Sequence, residues 1–106
     1  MLNQRTTKAM TIVTASAQHL FPNLSLEQAF GELLLAQARK NLIHYRATVH
    51  RFEQKHQQEF ALFRQKILAS EPAWEAEQDY FDWEMAITGI ADMKREIERL
   101  QTLVQH

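Results

Sequence analysis

Hydrophobic residues recur every three or four positions over two long segments of this chain, which is the spacing of one helical face. In the first segment, Ser25 to Ile67, the apolar seam comprises Leu35, Ala38, Leu42, Tyr45, Val49 and Phe52, and after a polar gap Phe60, Phe63 and Ile67. In the second, Pro72 to Gln105, it comprises Ala76, Tyr80, Trp83, Ala86, Ile90, Met93, Ile97, Leu100 and Val104. Such a seam packs on a neighbouring helix, so the pattern predicts a helical hairpin.

Local signals mark where the two helices begin. Ser25 and Gln28 form a capping-box pattern at the start of the first helix. Ser70 is the expected N-cap of the second helix, with Pro72 in its first turn, where a missing N–H costs nothing. The polar gap at residues 55–58 shifts the seam by one position, and we expect the first helix to run through it or to bend mildly.

The segment before Ser25 gives a weaker pattern. Residues 1–9 are polar and are expected to be loose, whereas Met10–Ala15 is β-branched and has strand character. This stretch either pairs with its copy in a second chain or leads into a short helix that ends near Phe21. Gly89, inside the second long helix, is placed off the seam, and we expect a neighbouring backbone to approach it closely.

A second set of apolar residues lies off the two seams. Its members are Leu33, Leu34, Trp74, Phe81, Ile87 and Leu103. A lone hairpin leaves such a set exposed, which is typical of an interface. We therefore predict an all-α fold, a long antiparallel coiled-coil-like hairpin over residues 25–106 that dimerises into a four-helix bundle, with residues 1–24 as a short N-terminal segment and possible dimer arm.

Composition narrows the class of protein. The 106 residues include two glycines, two prolines and no cysteine, so long elements are expected and a disulfide framework is excluded. Twelve basic and thirteen acidic residues give a net charge of −1, unlike the basic footprint of a general nucleic-acid binder. No apolar run approaches the length of a membrane span or of a signal peptide's apolar region, which favours a cytoplasmic protein.

Charge is segregated between the two helices. Residues 39–66 carry seven basic and two acidic residues, whereas residues 71–84 carry six acidic residues and no base. The hairpin turn is expected to bring the acidic stretch alongside Lys55, Arg64 and Lys66, and opposite charges that flank a seam fix the antiparallel register of the two helices. The acidic stretch is interleaved with aromatic residues. Aromatic residues lead those that dominate binding energy at protein interfaces, and the acidic residues around them favour a partner with a basic surface. The predicted partner-binding residues are Trp74, Glu77, Asp79, Phe81, Asp82 and Glu84.

Two other functions find less support. Glu53 and His56 have the Glu-x-x-His spacing of di-iron bundles, but such a site needs a second pair and two more glutamates. A ribbon-helix-helix repressor would use Met10–Ala15 as its strand, yet that stretch lacks the side chains that read base edges. With two glycines there is no phosphate-binding loop, and no nucleophile pattern is present, so we predict no enzyme, no cofactor and no metal.

From Leu42 to Val104 the chain resembles a group of small prokaryotic helical proteins encoded beside toxins of the TumE type, presumed to be antitoxins. The resemblance rests on Tyr45, on Phe52-Glu53-x-Lys55, on Phe60-x-x-Phe63 and on residues 77–84, EQDYFDWE. In this group a glycine that starts a turn commonly follows a lysine-aromatic pair. At the corresponding position, after Lys55, this chain has His56-Gln57-Gln58 and no glycine. The resemblance implies that the chain neutralises a toxin by binding it, with self-repression through the N-terminal segment as a further possibility; it assigns no contact residue.

Overall fold

Four helices make up the part of the chain that the computed structural model describes, residues 4–104. They are α1 (Gln4–Leu20), α2 (Leu26–His56), α3 (Phe60–Ala69) and α4 (Trp74–Val104). No strand occurs in these residues, so the predicted all-α class is confirmed. Within the same residues, none of the helices has the length and hydropathy that crossing a membrane requires.

The two long helices form the predicted antiparallel hairpin. Gly31 of α2 lies beside Val104 at the end of α4, and Tyr45 lies beside Gly89. Near the other end His56 contacts Asp79, so the register stays constant along the pair. Every residue of both predicted seams is buried or half-buried, which confirms the spacing argument.

The interior of the hairpin is divided into two clusters. The tip core, at the end where α2 leads into α3, comprises Phe52, Phe63, Tyr80 and Trp83. The open-end core, near the start of α2 and the end of α4, comprises Leu35, Ala38 and Leu100. Large aromatic side chains therefore hold one end, and smaller aliphatic ones hold the other.

The first long helix is not continuous, and that prediction is wrong. It begins at the predicted capping box, where the Gln28 amide donates to Ser25 Oγ (3.1 Å) and the Ser25 amide donates to Gln28 Oε1 (2.9 Å). It ends at His56, because Gln57 adopts a left-handed conformation (φ 53°, ψ 38°) that stops the helix without a glycine. The chain then turns, and α3 brings Phe63 back onto the tip core.

Three smaller predictions are also wrong. Ser70 does not cap α4: it ends α3, and its hydroxyl donates to the Lys66 carbonyl (2.8 Å). Pro72 lies before α4 rather than in its first turn. Gly89 is buried, and the group that approaches it is the ring of Tyr45 rather than a backbone, since a Cβ built on Gly89 would lie 2.7 Å from that ring.

The N-terminal segment is a helix that ends at Leu20, so of the two alternatives for Met10–Ala15 the paired strand is wrong and a helix that ends near Phe21 is confirmed. The predicted looseness of residues 4–9 is wrong, and residues 1–3 lie outside the described part. α1 packs chiefly on α2, and Ala17 is its buried residue. Without a strand, the ribbon of a ribbon-helix-helix repressor has no counterpart in residues 4–104. Of the predicted ribbon-helix-helix order, only the two helices, α1 and α2, and the turn between them are present in these residues.

The molecule is a rod rather than a sphere. Its extents are 58 × 34 × 20 Å and its radius of gyration is 20.4 Å, whereas a compact domain of this length has a radius of gyration of about 13 Å. Its accessible surface of 8271 Å² compares with about 6,200 Å² for a compact protein of the same mass. A large share of the surface is therefore available to other molecules.

Candidate partner-binding surface

The first half of α4 presents two faces of different character. Tyr80 and Trp83 point into the tip core, and Trp83 is fully buried. Its indole stacks on Phe52 (ring centroids 5.7 Å apart, planes at 19°) and on Phe63 (5.3 Å, 29°). This packing fixes the rotation of α4 about its axis, and so determines which residues face outward.

A charged cluster locks the same segment to α2. The Asp79 carboxylate lies 2.7 Å from Lys55 Nζ and 2.8 Å from His56 Nε2, and Lys55 also reaches Glu75 at 3.2 Å. The His56 ring is half-buried, and its centroid lies 4.2 Å from that of Phe63. The cluster therefore ties the last turn of α2 to the first turns of α4, as the segregation of charge predicted.

The electrostatics of the cluster favour its charged form. Burial by itself would raise the pKa of Asp79, but the hydrogen bonds from Lys55 and His56 outweigh it and hold that pKa below its ordinary value. The hydrogen bond to Asp79, followed by that to Glu75, raises the pKa of Lys55. Both shifts are in the direction expected of an ion pair that is favourable in the folded chain at neutral pH.

The outer face of α4 carries exposed large apolar residues. Trp74, Phe81 and Met85 are 77%, 49% and 71% exposed. At about 100° per residue they lie within about 40° of one another, and Trp74 lies on the side of the helix opposite Trp83. Trp74 and Phe81, with Glu77 and Gln78, line a shallow groove of about 230 Å³.

Carboxylates flank this apolar row. Glu77, Asp82 and Glu84 are all exposed. Gln78 Nε2 donates to Asp82 (3.3 Å), and the Tyr80 hydroxyl donates to Glu84 (3.1 Å) while accepting from Arg64 Nε (3.3 Å). We call the whole set the aromatic face of α4; its members are Trp74, Glu77, Phe81, Asp82, Glu84 and Met85.

The structure brings together five of the six predicted partner-binding residues. Trp74, Glu77 and Phe81 line the groove, and Asp82 and Glu84 are exposed on opposite sides of the apolar row at about 100° per residue. Asp79 lies elsewhere, because it is only 8% exposed and is paired with Lys55 and His56 inside the hairpin. Met85 was missed, although its position four residues after Phe81 is the spacing of one helical face.

His56 has a structural partner rather than a metal ligand set. The carboxylate that contacts it is Asp79 of α4, not Glu53 of α2. In residues 4–104 no group of three or more His, Asp or Glu side chains is arranged to hold a metal ion. The Glu-x-x-His spacing is thus accounted for by a histidine packed among aromatic rings.

Comparisons with models of protein families, with curated proteins and with solved structures found no match to this chain. We therefore infer the function from the chemistry of the aromatic face and from the shape of the molecule.

Proposed function

We propose that this chain is a protein-binding module of the antitoxin type, which neutralises a partner protein by covering it rather than by catalysis. The observation that carries the proposal is the row formed by Trp74, Phe81 and Met85, exposed on one helical face and flanked by carboxylates. Exposed aromatics at the centre of a face, with charge at its edge, are the arrangement of a protein interface.

The chemistry of the face defines the partner that it suits. Between residues 71 and 84 there is no basic side chain, and Glu77, Asp82 and Glu84 are exposed. A partner with an apolar patch surrounded by lysine or arginine gains both apolar burial and charge complementarity. The resemblance to proteins encoded beside small toxins agrees with such a partner, and we propose that the chain acts in the cytoplasm as a homodimer.

The test uses the protein encoded beside this gene. We expect that protein alone to arrest growth and the full chain to restore growth when both are produced. Trp74→Ala removes an exposed aromatic side chain without disturbing the fold, so it should weaken binding by about thirtyfold or more, as at an interface hot spot. Isothermal titration calorimetry with the purified pair measures this loss.

Two variants serve as controls. Leu62→Ala changes an exposed residue of α3 outside the aromatic face and should leave binding unchanged. Trp83→Ala removes a fully buried indole and should lower the free energy of unfolding by about 3–5 kcal/mol. A neighbouring protein that arrests nothing, or Trp74→Ala binding as well as the unaltered chain, would reject the proposal.

A further inference from the structure

The groove on α4 is formed by side chains of two kinds. At about 100° and 1.5 Å per residue, Trp74 and Phe81 lie on nearly the same line along the helix, about 10 Å apart. By the same geometry Glu77 and Gln78 lie on opposite sides of that line, midway between the two aromatic residues. All four side chains line the groove. It therefore has an aromatic residue towards each end and a side chain with an oxygen acceptor on each flank.

Glu77 differs from the other acidic residues around it. Residues 74–84 contain five acidic residues. The other four accept hydrogen bonds or pair with a base, and they are Glu75, Asp79, Asp82 and Glu84. Within residues 4–104, the Glu77 carboxylate has neither a hydrogen bond nor an ion pair. The groove is therefore lined by a negative charge that the chain itself leaves unpaired.

Gln78 supplies a second acceptor to the groove. Its Nε2 donates a hydrogen bond to Asp82 (3.3 Å). This bond engages the donor end of the amide and leaves the carbonyl oxygen, which can accept two hydrogen bonds, for a ligand. A ligand in the groove thus meets acceptors on both flanks, one of them charged.

The volume and the chemistry of the groove select an arginine side chain. The volume, about 230 Å³, is below the roughly 300–1,000 Å³ of a small-molecule site and suits a single side chain. A guanidinium group is planar and always charged, stacks on aromatic rings and donates several hydrogen bonds in one plane. Tryptophan attracts cations more strongly than the other aromatic residues do. A lysine ammonium has no flat face with which to stack.

We propose that the groove binds an arginine side chain of the partner protein. The guanidinium stacks on Trp74 and donates to the Glu77 carboxylate and the Gln78 carbonyl oxygen, while the methylene stem packs on Phe81. The inference rests on the proposed function in one respect, namely that a protein binds the aromatic face. It goes further by naming the side chain that this protein must supply.

Blocked tripeptides test the groove with the full chain alone. The probes are acetyl-Ala-Arg-Ala-amide and its analogues with lysine or with citrulline, the neutral isostere of arginine. The chain has two tryptophans, so their indole N–H signals in a heteronuclear NMR spectrum report separately on the groove (Trp74) and on the tip core (Trp83). We expect the arginine peptide to shift the Trp74 signal alone, and to bind at least about fivefold more tightly than either analogue.

Matched substitutions test the two kinds of side chain. Glu77→Gln keeps the size of the side chain but removes its charge, and should weaken binding of the arginine peptide by about tenfold. Glu75→Gln removes the same charge about 160° away around the helix, outside the groove, and should leave binding unchanged. Phe81→Leu should weaken binding by about threefold, because part of the surface for the stem is lost. Circular dichroism verifies that each variant keeps its helical content.

The same contact is tested in the complex with the partner protein. Its interface arginines are replaced by lysine one at a time, and one of these changes should weaken binding by about tenfold. That change should have little further effect when the chain carries Glu77→Gln, because the two substitutions remove the same interaction. Additive losses for every arginine would contradict the inference.

Equal shifts of the Trp74 signal by the three peptides overturn the inference, as does an arginine affinity that Glu77→Gln leaves unchanged. Tighter binding of tetramethylammonium than of the arginine peptide also overturns it, because the groove is then a cage for a quaternary ammonium group. These results are separable from the proposed function. Partner binding that is lost with Trp74→Ala, while no arginine peptide binds, refutes the arginine site alone. Arginine binding with partner binding indifferent to Trp74→Ala supports the site and refutes the neutralising face.

Discussion

Two tryptophans on one helix have opposite roles because nine residues separate them. Trp83 is fully buried in the tip core and Trp74 is 77% exposed on the other side of α4. Both assignments followed from spacing, since Trp83 is on the predicted seam and Trp74 is off it. The burial of each tryptophan follows from the face of the helix on which it lies, and residue spacing in the sequence is enough to predict that face.

Asp79 could not be placed by the same reasoning. It stands in a run of acidic residues that are otherwise exposed, and its inward position depends on Lys55 and His56, 23 or more residues earlier. A tertiary contact thus overrides local pattern. The structure assigns Asp79 to the anchoring of α4 on α2, where sequence analysis assigned it to a partner.

Asp79→Asn tests this anchoring. The pKa of Asp79 is lower in the folded chain than its ordinary value, so its ion pairs stabilise the fold above about pH 4 and are lost as the pH falls through the lower folded value. We expect the substitution to lower the free energy of unfolding by about 2 kcal/mol at pH 7, and by less as the pH drops below about 4. Urea denaturation at several pH values measures both.

Asp82→Asn is the matched control for that experiment. Asp82 is exposed and accepts a hydrogen bond only from Gln78 of its own helix in the described part of the chain. Its substitution should change stability by less than about 0.5 kcal/mol. An equal effect of the two variants, or a loss at Asp79→Asn that does not depend on pH, would show that the cluster contributes no charge-based stability.

Among the elements, the long helices were predictable and the break between α2 and α3 was not. The seams and the capping box at Ser25 are properties of residue spacing, and the structure confirms them. A helix that ends without glycine or proline gives no such signal. At Gln57 the left-handed conformation is compensated by the return of Phe63 to the tip core, which only the folded chain makes visible.

At α1 the local sequence pattern favoured a strand, whereas the structure has a helix. The β-branched residues of Met10–Ala15 favour a strand locally, whereas the three-and-four spacing of Met10, Val13, Ala17 and Leu20 favours a helix over a longer window. The structure follows the longer pattern. Local propensity is a weak indicator when a periodic row of apolar side chains contradicts it.

Gln57→Gly tests how much strain the break holds. A residue with a Cβ is disfavoured in the left-handed region and glycine is not, so the change should stabilise the chain by about 0.5–1 kcal/mol, even after the loss of the hydrogen bond from Gln57 Nε2 to the Gln54 carbonyl. Thermal unfolding followed by circular dichroism should show a higher midpoint. Gln58→Gly, next to it but without a positive φ, should give no increase.

At the scale of the whole molecule, the two cores predict uneven stability. Four large aromatic side chains hold the tip, and Leu35, Ala38 and Leu100 hold the open end. Because apolar burial scales with area, we expect the open end to separate more readily than the tip. Amide hydrogen exchange should be slowest in residues 76–86 and faster in residues 97–104. Equal protection along α4 would mean that the hairpin opens as one unit.

The constant register of the hairpin restricts how the gene encoding it can change in length. One residue inserted into α2 between Gly31 and Tyr45 would turn everything after it by about 100° and move it by about 1.5 Å relative to α4. Seven inserted residues return the later side chains of α2 to nearly the same face of the helix. They also make α2 longer than α4 unless α4 gains seven residues as well. Insertions and deletions should therefore be tolerated in the connections at 57–59 and 70–73, and within α2 and α4 only as matched heptads in both helices.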